Sequence, residues 1–215
     1  MSEPSGKRAE RSRKAIVAAA RAEFLRDGFD ASMDTIAAHA GVSKVTVYNH
    51  FGSKEDLFTA VISQVGDETS DRNMEAATAV LTDATDLRAA LVEAITLIIE
   101  GITEPDVQAL RNVMTGELRR FPELGRTWQQ RGPVRFAAYF ADWLREQTAQ
   151  GRLDVPDPEV AVVQFYGLSV YPHLVAGSFG GSIPGELAER LVTGAVDMFL
   201  ARYGPPCQTP EFPRK

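Results

Sequence analysis

Polar side chains that can contact phosphate groups and base edges are concentrated in a short segment near the N-terminal end of the chain. The segment supplies a cation, a hydroxyl, a phenol, an amide and an imidazole: Lys44, Thr46, Tyr48, Asn49 and His50. Such groups hydrogen-bond to phosphate oxygens and to the base edges exposed in the DNA major groove. The composition therefore predicts a nucleic-acid-binding surface, provided that one helix presents these side chains together.

Two short helices joined by a tight turn are predicted to present this surface. Gly41 can end the first helix, because glycine has no side chain to obstruct a left-handed backbone. Ser43 is placed to cap the second helix, with its hydroxyl accepting from the backbone N–H near Thr46. Val47 and Phe51 are four residues apart and face the core, which leaves the polar residues outside. This pattern is typical of a helix-turn-helix, whose second helix enters the major groove.

The segment resembles the N-terminal domain of the TetR family of bacterial transcriptional regulators. The residues at matching positions of that family's motif are Ile36, Ala37, Ala40, Gly41, Val42, Ser43, Tyr48, Phe51, Lys54 and Leu57. The close match covers residues 8–66. A second stretch, residues 116–124, is similar to the C-terminal domain of one TetR subgroup, in which an E-x-x-R-F-P-E-L pattern joins two helices. Elsewhere the chain is similar to the family only in length and helical layout.

This resemblance implies which residues touch DNA. The second helix would contact bases or phosphates through Lys44, Thr46, Tyr48 and Asn49. The implied contacts to the phosphate backbone are Arg8, Arg11, Arg13, Lys14, Thr35, Ser43, His50 and Lys54. At two positions the chain departs from the family: Val45 replaces a frequent glycine and could meet a thymine methyl group, and Asn49 replaces a frequent aromatic residue or histidine. The operator sequence therefore cannot be inferred from relatives.

The distribution of charge agrees with a DNA-facing N-terminal region. The net charge of −6 by itself argues against a general nucleic-acid-binding protein. The start of the chain is nevertheless basic, with Lys7, Arg8, Arg11, Arg13 and Lys14 set against only Glu3 and Glu10. Two interpretations stay open: the basic run is a solvated, disordered arm, or it reaches the phosphates or the minor groove.

The spacing of apolar residues predicts an all-α protein of about nine helices. We expect a three-helix N-terminal helix-turn-helix domain linked to a C-terminal helical bundle. The predicted segments are a flexible basic arm over residues 1–7, a DNA-binding domain over 8–66, a helical ligand-binding and dimerisation domain over 67–203, and a disordered proline-rich tail over 204–215. One long helix is expected over residues 123–150, bent near Pro133, and another from Pro158 to near Gly177, kinked at Pro172.

The second predicted domain is rich in large aromatic residues. Side chains of this kind at helical spacing usually form core, but their number indicates a cavity in which polar groups orient a ligand. The candidate ligand-binding residues are Met114, Glu117, Trp128, Phe136, Tyr139, Phe140, Phe165, Tyr166 and His173. Arg111, Glu117 and His173 could equally be surface residues or internally satisfied ones. The resemblance implies a small, apolar or aromatic effector that binds between these helices and releases the DNA.

The last two predicted helices have apolar faces that suit a homodimer interface. A single recognition helix reads too few base pairs for useful specificity, so two copies related by two-fold symmetry are expected. The apolar residues are Val160, Val163, Tyr166, Leu168, Leu187, Leu191, Val196, Phe199 and Leu200. The resemblance places a four-helix dimer interface there, and the alternative is burial inside one subunit. We therefore expect a homodimeric, ligand-responsive repressor on a palindromic double-stranded DNA operator.

Motifs of common enzyme classes are missing from the sequence. It has no phosphate-binding P-loop, no nucleophile elbow and no Rossmann glycine fingerprint. His39, His50 and His173 have no cysteine or carboxylate at ligand spacing, so neither a metal site nor a cofactor is expected. Two alternatives to a ligand-responsive regulator remain: a DNA-binding protein without a ligand, and an enzyme or carrier on a helical scaffold.

The remaining features predict a cytoplasmic protein without a membrane partner. Cys207 is the only cysteine, which fits a reducing compartment. The N-terminal segment is polar and basic, unlike a signal peptide. No apolar run approaches the ~18 residues that a membrane-spanning helix needs.

Overall fold

The computed structural model describes residues 5–65, 71–131 and 133–205, and every regular element among them is helical. The helices are α1 (Ser5–Asp27), α2 (Met33–His39), α3 (Lys44–Phe51), α4 (Lys54–Val65), α5 (Asp71–Thr82), α6 (Leu87–Thr103), α7 (Pro105–Glu117), α8 (Pro122–Arg131), α9 (Pro133–Ala149), α10 (Pro158–Ser169), α11 (Tyr171–Ser178) and α12 (Gly185–Tyr203). A short 3-10 turn, Gly28–Asp30, follows α1. The predicted all-α fold class is confirmed.

The described residues contain more helices than the sequence predicts because two long predicted helices are each divided. The segment 123–150 forms α8 and α9, and Pro133 begins α9. The segment from Pro158 to Gly177 forms α10 and α11, with Pro172 in the first turn of α11. Proline is tolerated in a first turn because its missing N–H would have no intrahelical acceptor there. Both prolines therefore lie in the first turns of separate helices.

Side-chain oxygens cap the starts of α4 and α10. Ser53 Oγ accepts from the backbone N–H of Asp56 at 3.0 Å and donates to Asp56 Oδ2 at 2.7 Å. Asp157 Oδ1 accepts from the backbone N–H of Val160 at 3.1 Å. Each bond satisfies an N–H group that the first helical turn leaves unpaired. The starts of α4 and α10 are thus fixed by local sequence.

The chain divides into two compact units, neither of which is continuous in sequence. The first unit comprises residues 1–73 and 100–134, and the second comprises residues 74–99 and 135–215. This packing departs from the predicted division into continuous segments 8–66 and 67–203, since α7 and α8 belong with α1–α4. Residues 66–70, where the sequence predicts the boundary, lie outside the described residues.

A shared apolar core explains why α7 and α8 fold with the N-terminal helices. Val107, Leu110 and Met114 recur along one face of α7 and are buried. They join one cluster with residues of the N-terminal helices: Ile16, Ala20, Phe24, Ile36, Val47, Leu57, Phe58 and Val61. The ring centroid of Phe29 lies 5.4 Å from that of Phe121, a residue in the connection between α7 and α8. Met114, a ligand contact by sequence prediction, therefore lies in the core of the first unit.

A surface ion pair also joins α1 to α7. Arg21 Nη2 donates to Asp106 Oδ2 at 2.7 Å, and both side chains are partly exposed. Pairs of this kind contribute about 0–1 kcal/mol because solvent screens the two charges. The position of α7 therefore depends mainly on the burial of its apolar face.

An aromatic cluster forms the centre of the second unit. The ring centroid of Phe140 in α9 lies 5.6 Å from that of Trp143 and 5.4 Å from that of Phe165 in α10. Phe199 of α12 lies 4.9 Å from Phe165. All four side chains are buried, and aromatic pairs at these distances stabilise a core beyond simple area burial. These rings pack α9, α10 and α12 together.

The basic N-terminal run is helical where the structure describes it. Because α1 begins at Ser5, residues 5–7 of the predicted flexible arm belong to this helix. No proline follows in α1, and alanine, arginine and lysine favour helix, so the helix extends through the basic run. Residues 1–4 and 206–215, which hold the rest of the predicted arm and most of the predicted tail, lie outside the described residues.

None of the helices within the described ranges has, on its own, the length and apolar character of a membrane span. The pair α10 and α11, bent by 49°, meets that criterion by length and composition alone. Both helices place side chains in the interior of the second unit, among them Phe165 and His173.

Candidate functional site

The N-terminus of α3 is fixed by its capping serine. Ser43 Oγ accepts from the backbone N–H of Thr46 at 3.1 Å. The two hydroxyls of Ser43 and Thr46 lie 2.8 Å apart and share a hydrogen bond. At the other end, Gly52 adopts a left-handed backbone with φ of 71° and its N–H donates to Tyr48 O at 2.8 Å. The helix is short, and both ends are defined by local hydrogen bonds.

The two faces of α3 differ sharply in burial. Val47 and Phe51 are buried in the core of the first unit. Val45 is 67% exposed and Tyr48 is 42% exposed. Lys44 and Asn49 are also exposed, and Thr46 and His50 are half-buried. Of the four predicted base-contacting residues, Lys44, Tyr48 and Asn49 are thus exposed on a single helix, and Thr46 is half-buried.

A turn at Gly41 sets the angle between α2 and α3. Gly41 has φ of 66°, a conformation that side-chain-bearing residues rarely adopt. The N–H of Val42 donates to Ala37 O at 3.0 Å, and the half-buried Val42 side chain packs on the core. Ile36 and Ala37 bury the inner face of α2. The turn thus positions the exposed face of α3 relative to a fixed core.

Replacing Gly41 with alanine is expected to lower the free energy of unfolding by about 1 kcal/mol, because the new Cβ disfavours the left-handed backbone. Apart from its two chain neighbours, no described residue has an atom within 4 Å of the position of that Cβ, so the cost is conformational and not steric. Gly116→Ala is the matched control, since Gly116 is helical and equally open, and alanine there should stabilise by about 0.5 kcal/mol. Guanidinium unfolding of both variants measures the difference. Equal effects of the same sign would contradict the assignment of strain to Gly41.

Lys44, the first residue of α3, forms an ion pair with α2. Its Nζ donates to Asp34 Oδ2 at 2.8 Å, and both side chains are largely exposed. This hydrogen bond, together with the negative charge of Asp34, raises the pKa of Lys44. Lys44 is therefore charged at neutral pH, and a phosphate that contacts it must compete with the Asp34 carboxylate.

Asp34→Asn is expected to tighten binding to DNA by about threefold to tenfold at low salt, because it removes a carboxylate that competes with phosphate for Lys44. The gain should appear with operator and with unrelated DNA, since phosphate contacts carry no sequence information. Fluorescence anisotropy at several salt concentrations measures it. Asp83→Asn, a matched change at an exposed residue of the second unit, should leave affinity unaltered. Unchanged or weaker binding by Asp34→Asn would refute the competition.

Apart from Ser43 and His50 of α3, the predicted phosphate contacts lie on three other helices of the first unit. Arg8, Arg11, Arg13 and Lys14 are exposed on α1, Thr35 is exposed on α2, and Lys54 begins α4. The Arg13 guanidinium lies 5.1 Å from the ring centroid of Phe51, which places it beside α3. Lys54 Nζ lies 4.9 Å from the Phe29 ring centroid, and burial lowers the pKa of Lys54. Arg13 and Lys54 are thus positioned by aromatic rings of the core.

A buried carboxylate links α1 to α2, and sequence reasoning missed it. Glu23 is only 2% exposed, and its Oε1 lies 3.0 Å from His39 Nδ1. Arg26 also pairs with Glu23. The sequence shows an acidic residue beside Phe24 on an apolar helix face, which could have indicated a buried carboxylate. It does not show that the partner is His39, which is distant in sequence. In the described part of the chain, no group of three or more His, Cys, Asp or Glu side chains could bind a metal ion.

The predicted ligand-binding residues are divided between the two units. Met114, Glu117 and Trp128 lie in the first unit, where Met114 is buried and Trp128 packs against the core. The second unit contains the rest: Phe136, Tyr139, Phe140, Phe165, Tyr166 and His173. Tyr139 already uses its hydroxyl, which donates to Thr78 O at 3.0 Å.

Four of the polar candidates differ in their surroundings. Glu117 ends α7 and is half-buried. Burial lowers the pKa of Arg111, whose Nη2 is buried without a hydrogen-bond partner among the described residues. Burial raises the pKa of Tyr166, whose ring lies 5.8 Å from the ring of Phe136. Burial lowers the pKa of His173, and its Nε2 has no partner within the described ranges.

The apolar residues predicted for a dimer interface also separate into two groups. Val196 and Phe199 are buried within the second unit, so they serve its core. Val160, Val163, Leu168 and Leu187 are exposed, as is Met198, and Tyr166, Leu191 and Leu200 are half-buried. The exposed group leaves apolar surface on α10 and α12.

Family models match both parts of the chain. Residues 16–61 match the model described as bacterial regulatory proteins, tetR family. Residues 89–205, more than half of the chain, match the model described as AefR-like transcriptional repressor, C-terminal domain. The chain belongs to the TetR family. Its first unit thus contains the DNA-binding helix-turn-helix of that family.

Individual relatives agree with this membership. The dual regulator CecR of Shigella flexneri is 40% identical over 58 residues, 27% of this chain and 26% of CecR. The regulator SrpR of Pseudomonas putida is 27% identical over 78% of this chain and 76% of SrpR. A TetR-family structure from Mesorhizobium loti has a TM-score of 0.83 and 32% identity, covering 92% of this chain and 98% of that one. The flavonoid-responsive regulator FrrA has a TM-score of 0.74 and 28% identity, covering 92% and 99%.

Membership of the TetR family establishes the general activity. The protein is a DNA-binding transcriptional regulator and not an enzyme. The exposed face of α3 is the part of the first unit whose chemistry suits DNA.

Proposed function

We propose that this TetR-family regulator is a homodimeric repressor that a small molecule releases from a palindromic operator. The observation that carries the proposal is the pair of faces on α3, with Val47 and Phe51 buried and Tyr48 and Asn49 exposed. A capped helix with one polar face can enter the major groove without any change in the core.

The proposed DNA contacts follow from this geometry. Tyr48, Asn49 and Val45 read base edges, because they are the exposed side chains at the middle of α3. Lys44 and Arg13 contact phosphates on either side, together with the other cations of α1. Phosphate contacts give affinity and orientation, and the side chains at positions 45 and 49 give this regulator its own sequence preference.

A homodimer through α10 and α12 is supported by the exposed apolar residues there. Val163 is 71% exposed, and Val160 and Leu168 are exposed on the same helix. On α12, Leu187 and Met198 are exposed. Apolar surface of this kind favours association, and a two-fold axis would cover it with an identical patch. Two recognition helices would then read two half-sites of one operator.

The response to an effector is proposed to pass through α4. FrrA is a flavonoid-responsive regulator, and this similarity supports a small aromatic effector for the present protein. In the first unit α4 contacts α1, α3, α7 and α8, so a shift of α7 or α8 would reach α3 through α4. Release of DNA requires the effector to bind the two states with different affinity.

Footprinting on the DNA that flanks the protein's own gene tests this proposal. We expect a two-fold symmetric protected site with half-sites about one helical turn apart, and loss of protection when a suitable aromatic compound is added. Sedimentation of the free and DNA-bound protein gives the number of subunits. A single asymmetric half-site would contradict the dimer, and protection that no compound of a broad aromatic set alters would favour a constitutive DNA-binding protein.

A further inference from the structure

An imidazole nitrogen without a hydrogen-bond partner among the described residues is buried inside the second unit. His173 of α11 is 6% exposed, and its Nε2 is buried with no hydrogen-bond partner among the described residues. The backbone N–H of His173 is satisfied, since it donates to Val170 O at 3.1 Å. A buried polar atom left unpaired costs a folded protein about 1–3 kcal/mol, so most such atoms have a partner in the functional state.

The neighbours of His173 along the chain supply no donor for Nε2. Ser169 and Gly177 stand four residues before and after it, and both are buried. Ser169 Oγ donates to Phe165 O at 2.6 Å, so its proton is already used. Gly177 has no side chain. The residues one helical turn on either side are therefore small and offer no donor to the ring.

Apart from His173, the buried polar side chains that the structure describes in the second unit are hydrogen-bonded. Its buried polar residues in the described ranges are Gln147, Ser169 and His173, and Gln147 Oε1 accepts from Arg152 Nε at 2.7 Å. Arg88 pairs with Asp197, and Arg145 with Glu159. No described Lys, Arg, Asp or Glu of this unit is buried. A charged ligand in its interior would lack a counterion, which is strongly unfavourable.

Burial also determines the protonation state of the ring. It lowers the pKa of His173, because desolvation disfavours the imidazolium cation. At neutral pH the imidazole is uncharged, and a neutral imidazole can accept through one nitrogen and donate through the other. An uncharged hydroxyl can serve either tautomer, since it both donates and accepts.

We propose that His173 Nε2 hydrogen-bonds the hydroxyl of an uncharged, largely apolar effector bound within the second unit. The proposal rests on the ligand response proposed above and adds the class of ligand and its anchoring atom. The proposal predicts that a phenol binds more tightly than a hydrocarbon, because a hydrocarbon leaves Nε2 unpaired. It also predicts that a phenol binds more tightly than a carboxylate, because a carboxylate brings an unpaired charge.

Three probes of one shape test this assignment: 2-naphthol, naphthalene and 2-naphthoate, titrated calorimetrically into the intact protein. We expect 2-naphthol to bind about tenfold more tightly than either of the others, the effect of one hydrogen bond. His173→Leu should abolish this preference without lowering the melting temperature, because the unpaired atom is removed. His173→Gln should keep part of the preference, since its amide also donates and accepts.

His39→Leu is the matched control, a change of the same kind in the first unit at a histidine that has a partner. It should lower the melting temperature, because it removes the bond to the buried Glu23, and should leave the preference for 2-naphthol intact. The contrast separates a ligand-binding histidine from a structural one.

Four results would overturn the assignment. They are a preference for 2-naphthol that survives His173→Leu, tightest binding of 2-naphthoate, a fall of several degrees in the melting temperature of His173→Leu, and failure of all three probes to bind near about 1 mM. Tightest binding of 2-naphthoate would point to Arg111 of the first unit. Release of operator DNA is measured separately. Binding through His173 without release of DNA would refute the proposed ligand response but would support the ligand site at His173.

Discussion

Replacing Val163 with aspartate is expected to convert the protein into a monomer and to abolish binding to a full operator. Val163 is the most exposed apolar residue of α10 at 71%. In a two-fold symmetric interface the new carboxylate would be buried twice, opposite an apolar surface and close to its own copy. Each unpaired buried charge costs several kcal/mol, and two such charges are enough to dissociate a small interface.

The effect on DNA should be larger than any single contact can produce. In a dimer the second half-site binds intramolecularly, and loss of that link lowers apparent affinity by about 100-fold or more. Sedimentation equilibrium gives the subunit number and anisotropy gives the affinity. Ala138→Asp, at an exposed residue of α9, introduces the same charge and should leave the dimer intact. A Val163→Asp protein that remains dimeric would show that α10 is not in the interface.

Tyr48→Ala is expected to weaken operator binding by at least about 1 kcal/mol in each half-site, and therefore by about 30-fold for a dimer. The side chain is 42% exposed and lies outside the core cluster, so its removal should not unfold the first unit. Loss of affinity would then report a lost contact with DNA. Circular dichroism and sedimentation should be indistinguishable from those of the unaltered protein.

Tyr48→Phe separates the contribution of the ring from that of the hydroxyl. If the phenol oxygen contacts a phosphate or base, Tyr48→Phe should lose most of the affinity that Tyr48→Ala loses. If the ring packs against the sugar or a thymine methyl group, the phenylalanine variant should bind nearly as well as the unaltered protein. Full affinity in Tyr48→Ala would exclude this residue from the interface.

Local features of the helix-turn-helix were predictable because they depend on residues close in sequence. A serine three residues before an N–H group caps α3, and a glycine at the turn takes φ of 66°. The four-residue spacing of Val47 and Phe51 predicted which face is buried. Each of these inferences needs only the geometry of one or two helical turns.

Contacts between distant segments could not be predicted in the same way. The period of Val107, Leu110 and Met114 shows that α7 has an apolar face, but it does not name the helices that cover it. The bond between Glu23 and His39 likewise joins two helices through side chains that have no shared motif. The set of residues predicted to bind a ligand was divided between two units for this reason.

The unpaired Nε2 of His173 shows that the sequence does not predict whether a buried polar atom is hydrogen-bonded. From the sequence, a histidine on an apolar helix can be exposed, bonded or unsatisfied, and the three cases have the same periodicity. Its state depends on whether the packed neighbours supply a donor or acceptor. Tyr139 and Trp143 resemble it in the sequence, but the structure pairs their polar atoms with the carbonyls of Thr78 and Leu81.

The discontinuous first unit has a consequence for synthesis of the chain. Leu124 of α8 is buried in the same core as Phe24 of α1. The core around the helix-turn-helix can therefore be completed only after α8 has been synthesised. Until then the apolar faces of the N-terminal helices stay exposed. A fragment ending at residue 65 would keep those faces exposed, whereas domain exchange between relatives should carry residues 100–134 along with α1–α4.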